Sequence, residues 1–92
     1  MIQTPITDAL STSYAAVALG ADVACSGLLC KTRSGTAWRI SDIEAGTTYF
    51  SVGGDQSIEI PINKGKGAAA TTMFWARTEA GTDTLETFVQ GT

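Results

Sequence analysis

The chain has 92 residues, 43% of them hydrophobic and only 16% charged, with a formal net charge of −3. That length gives one domain with a thin core, and a hydrophobic content this high with so small a net charge excludes disorder. Six Lys and Arg scattered along the chain exclude the dense basic stripe that nucleic acid requires, and no run reaches the ~18 apolar residues of a membrane span.

Taken in order, Met1 to Thr12 reads as an extended N-terminal arm, because Pro5 restricts its neighbours and the rest is largely Thr, Ser and Asp. It has no basic n-region, so the chain is expected to be made and to remain soluble. Tyr14 to Leu19 is alanine-rich but too short for an independent helix, and it stops at Gly20-Ala21-Asp22. It is expected to be a strand.

Leu28 to Thr32 and Ala37 to Ser41 follow as strands. The Arg33-Ser34-Gly35-Thr36 spacer between them is a hairpin signal, and Trp38 and Ile40 share a face. Thr47 to Val52, rich in β-branched and aromatic residues, is the clearest strand. Gly53-Gly54-Asp55 ends it. Ile58, Ile60 and Ile62 alternate onto one side, and Pro61 confines that strand to an edge. Asn63 to Gly67 reads as an exposed flexible loop. Thr71 to Arg77 is apolar enough on both faces for burial from two sides. Leu85 to Gln90 closes the domain. Six or seven short strands with regular turns predict an all-β fold over 1–92, a small antiparallel β-sandwich or jelly-roll-like barrel.

Chemistry is sparse. There is no histidine, which removes the side chain best suited to acid–base work at neutral pH. Only Lys31, Lys64, Lys66 and the acids remain as bases, and the Gly65-Lys66-Gly67 stretch lacks the spacing and following helix of a phosphate-binding loop. Cys25 and Cys30 stand five apart, where a bridge would close a very short loop, so two buried thiols are the favoured state. No Cys-x-x-Cys pair and no EF-hand spacing is present. No catalytic, metal or cofactor residue is assigned, and the chain is expected not to be an enzyme. A small domain without staples or ions gains stability most economically by contact with other chains.

The aromatic residues Trp38, Tyr49, Phe50, Phe74 and Trp75 mostly suit a core. Phe74 and Trp75 are neighbours, so if one fills the core the other faces away, taking Met73 with it. The candidate partner interface is accordingly Met73, Trp75 and Trp38, with Ile2 and Pro5 on the arm, which could add to a neighbour's sheet. Trp38 or Trp75 would also suit a carbohydrate-binding face.

The order of Tyr14-Ala15-Ala16-Val17, Thr47 to Val52 with Gly54 and Gln56 to Ile60, Met73 to Arg77 and Leu85 to Val89 resembles the small β proteins encoded beside the structural genes of tailed bacteriophages. The resemblance covers most of the chain but rests on strand motifs, so no functional residue is carried over. It implies a capsid decoration (cement) protein on the virion surface. Such a protein is a homo-oligomer, trimer favoured over dimer, seated on the major capsid protein and bridging its subunits. The alternatives are a neck or tail component, such as a head–tail adaptor or fibre-linking subunit, and a carbohydrate- or surface-binding β module.

Overall fold

The structure is a computed structural model that describes residues 5–21, 23–44, 47–65 and 71–90. Its strands are β1 (Ile6–Leu10), β2 (Ala15–Leu19), β3 (Gly27–Thr32), β4 (Trp38–Ser41), β5 (Phe50–Val52), β6 (Ile58–Ile60), β7 (Thr71–Thr78) and β8 (Asp83–Gln90). They form two four-stranded sheets, ordered β1-β8-β3-β6 and β2-β7-β4-β5, with every pairing antiparallel. Consecutive strands change sheet at each connection except β4 to β5. Eight strands arranged this way make a jelly roll, so the expected all-β sandwich is the fold.

Alternation builds it. On β7, Phe74, Ala76 and Thr78 are buried while Met73, Trp75 and Arg77 are half-buried; on β8, Leu85, Thr87 and Val89 face inward. These meet Val17, Leu19, Leu28, Cys30, Trp38 and Val52 in one core between the sheets. The core contains hydroxyls, each given a partner. Thr32 Oγ1 donates to the Thr36 carbonyl at 2.7 Å, Thr78 Oγ1 to that of Gly81 at 2.7 Å, and Ser41 Oγ to that of Thr48 at 3.0 Å. Both cysteines are buried and unbridged.

Four expectations change. Ile6–Leu10, read as part of an extended arm that could add to a neighbour's sheet, is extended but lies in its own chain's sheet as edge strand β1, paired to β8. Leu28 to Thr32 and Ala37 to Ser41 do not form a hairpin, because β3 and β4 belong to opposite sheets. The reason lies far along the chain. The Asp83 carboxylate accepts hydrogen bonds from the Ser34 amide at 3.1 and 3.2 Å and the Thr36 amide at 3.1 Å, so the turn is anchored to the start of β8 rather than folded on itself.

Thr47 to Val52 supplies only the three-residue edge strand β5. Its aromatics, expected in the core, are exposed, Phe50 by 62%. Lys64 is no exposed loop residue either. It is buried, its backbone bridges Cys25, and its Nζ donates to the carbonyls of Val23 at 3.0 Å, Gly65 at 3.4 Å and Ala21 at 3.5 Å. Lys66 lies outside the described residues.

Candidate functional site

The two outer faces of the sandwich differ in what their charges do. On the second sheet, Arg39 and Arg77 stand directly opposite each other on β4 and β7, a repulsive pairing in isolation. Glu79 reconciles them: Arg39 Nε donates to Glu79 Oε1 at 2.9 Å, with a second bond from its Nη2, and Arg77 Nη2 lies 4.0 Å away. Each guanidinium also faces a ring, Arg39 over Tyr49 at 3.9 Å and Arg77 near Tyr14 at 6.0 Å. The Arg39 side chain is left only 18% exposed and that of Arg77 25%. This face is laced to itself.

The first sheet is different. Pro5, Leu29 and Phe88 floor a shallow groove of about 400 Å³ on its outer side, and Lys31, Arg33 and Glu86 line the same groove. Register places them there. Leu29 pairs with Phe88 and Lys31 with Glu86 across β3 and β8, on the side opposite the core pairs Leu28–Val89 and Cys30–Thr87. A polar depression of about 260 Å³ continues past Lys31 and Arg33 to Ser57, Gln56 and Asp55.

Glu86 serves both cations, Arg33 Nε at 2.9 Å and Lys31 Nζ at 3.6 Å. The Arg33 hydrogen bond holds the Glu86 carboxyl below its ordinary range, with both positive charges adding to the effect and burial opposing it. Lys31 and Arg33 remain 57% and 56% exposed. Among the described residues the terminal N–H groups of Arg33 make no hydrogen bond. Two cations therefore share one acid beside an apolar floor, an arrangement suited to receiving an anionic group attached to an apolar body.

The expected interface residues do not come together. Trp38 is fully buried in the core and cannot present its ring to a partner or a sugar, which corrects its assignment. Phe74 fills the core and Trp75 faces away from it, as the alternation requires. Met73 does not follow Trp75. The β2–β7 register runs from Val17–Phe74 to Ala18–Thr72, so Met73 is the extra residue of a β-bulge and packs partly against the core. Pro5 lies in the groove of the opposite sheet, and Ile2 lies outside the described residues.

Leu29, Lys31, Arg33 and Phe88 were missed. Leu29-x-Lys31-x-Arg33 at two-residue spacing was a visible signal, but only the pairing with β8 shows that an apolar ring floors it. Burial pushes the Cys30 thiol up to about 11, a hydrogen bond with Thr87 opposing the effect and the charge of Asp8 adding to it, so the thiol form is favoured at neutral pH. Among the described residues, no three His, Cys, Asp or Glu side chains are grouped to hold a metal ion. The fold places the chain among small jelly-roll β-sandwich domains, with one open groove on its first sheet. Comparison with protein-family models, curated proteins and solved structures finds no match.

Proposed function

We propose that this chain is a non-catalytic virion structural protein, a capsid decoration module that stabilises a phage head by bridging major capsid protein subunits. The observation that carries the docking part of this reading is the asymmetry of the two faces. One has its charges mutually satisfied; the other leaves two half-exposed cations beside an apolar floor. A jelly roll hosts capsid and lectin modules alike, so the fold supports a particle component without selecting it. The resemblance to small phage β proteins supplies the capsid.

Physically, a clamp needs no chemistry. Binding only the assembled shell stabilises it by mass action, and repetition on a symmetric lattice multiplies shallow contacts. Homo-oligomerisation, with a trimer favoured over a dimer, would match local symmetry axes of such a shell. The test is quantitative mass spectrometry of purified particles, with the recombinant chain added to capsids lacking it. The reading predicts co-sedimentation and a copy number that scales with the capsid lattice. A copy number limited to a single ring would instead indicate the neck or tail. Failure to sediment with capsids would overturn it.

A further inference from the structure

The groove on the first sheet has a repeat built into it. Leu29, Lys31 and Arg33 occupy alternate positions along β3 and the residue following it, all on the outer side. Alternate residues of a strand stand roughly 6.6–7 Å apart. An extended segment laid along this groove carries its own same-side residues at that spacing. We propose that the groove takes an extended segment of a partner chain, in which a bulky apolar side chain and one acidic side chain stand two residues apart. This rests on the reading of the protein as a docking module and names what it docks.

Each part of the segment has a counterpart. The apolar side chain lies on Leu29, Phe88 and Pro5. The carboxylate meets Lys31 and the terminal N–H groups of Arg33, whose geometry favours a two-oxygen acceptor. Glu86 already holds Arg33 through Nε, which fixes the guanidinium without occupying those groups. Asp55, at the far end of the polar continuation, repels a second negative charge. The segment therefore carries a single acid and not an acidic run.

The occupant belongs to another protein rather than to a second copy of this chain. Ile6 and Asp8, Asp8 and Leu10, Ile40 and Asp42, and Asp83 and Leu85 are this chain's own pairs at that spacing. In each the apolar member packs in the core or against it. Glu86 and Phe88 also have the spacing, but they are part of the groove itself.

The experiment is an NMR titration of the full ¹⁵N-labelled chain with a blocked heptapeptide, Thr-Phe-Thr-Asp-Thr-Phe-Thr, which presents the pair in both chain directions. Two comparators are used, one with both phenylalanines moved next to the aspartate and one with lysine replacing the aspartate. The expected result is saturable shifts at Leu29, Lys31, Arg33, Ser57 and Phe88, with both comparators weaker by about tenfold. The K31Q/R33Q variant should lose the response while keeping a folded spectrum, and L29T should weaken it independently. Equal response to all three peptides, shifts centred on Trp75 or Phe50, or no response would overturn the proposal. So would concentration-dependent self-association mapping to the groove. Capsid sedimentation is a separate readout: capsid binding that survives K31Q/R33Q removes the groove and leaves the decoration reading standing, while peptide binding without capsid binding does the reverse.

Discussion

Two side chains show how little slack a domain of this size has. Trp38 is fully buried, and its indole Nε1 has no hydrogen-bond partner among the described residues. Trp38→Ala removes the largest core side chain and should cost about 3–5 kcal/mol, most of the ~5 kcal/mol such a domain holds. Trp38→Phe keeps a ring and deletes an unsatisfied N–H, so its loss in urea midpoint should be well under half as large. Equal losses would mean that the N–H is satisfied. Asp83 works oppositely. Burial alone would raise its carboxyl, but the amides of Thr84, Thr36 and Ser34 and the Thr36 side chain outweigh it and hold the carboxyl at about 2. A carboxyl lowered from its unfolded value of ~3.9 stabilises the fold at neutral pH, and that contribution is lost as pH falls from ~4 to about 2. Asp83→Ala should cost about 2 kcal/mol at pH 7 and progressively less across that window, followed by urea denaturation at each pH.

Between elements, what matters is where turns touch. The β5–β6 turn lies against the β3–β4 turn so closely that a Cβ on Gly54 would stand 1.9 Å from the Gly35 carbonyl oxygen. Gly35 itself has φ +82°, a conformation other residues resist. Gly54→Ala meets backbone that cannot yield, and should cost about 1–3 kcal/mol. Gly20→Ala, where nothing lies within 4 Å, should stay within about 0.5 kcal/mol. A thermal melt of the two variants checks the contrast. Edge strand β1 carries a different device. Asp8 shares the core-facing side with Ile6 and Leu10, and burial raises its carboxyl. An inward charge on an edge discourages pairing with another chain. Asp8→Asn should raise the urea midpoint at neutral pH, an advantage that shrinks as pH falls through the raised value, and should increase aggregation in light scattering.

These same elements separate what was legible in the sequence from what was not. Local alternation was legible: Trp38 with Ile40 inward, Phe74 opposed to Trp75, and Pro61 marking β6 as an edge are period-2 facts, and the structure keeps them. Strand order was not, since it depends on partners far along the chain. The β3–β4 turn reads locally as a hairpin, and only Asp83, 47 residues beyond Thr36, shows why it crosses between sheets. Lys64 reads as a solvated loop lysine until its carbonyl partners around Ala21 and Val23 are brought beside it. The groove was half legible: its cations follow a visible spacing, but its floor is assembled from β3, β8 and Pro5.

For the whole molecule, the sandwich measures 35 × 24 × 19 Å and has an outer face on each sheet. One face is closed by Glu79 and the arginines it joins; the other, with Lys31 and Arg33, is the face proposed to meet a neighbour. The most direct measurement is hydrogen–deuterium exchange of the chain free and bound to capsids. Docking through the first sheet predicts new protection across Leu29 to Arg33 and around Phe88, with the Tyr14–Arg77–Trp75 side unchanged. Protection on the second sheet alone, or none on mixing, would contradict the account.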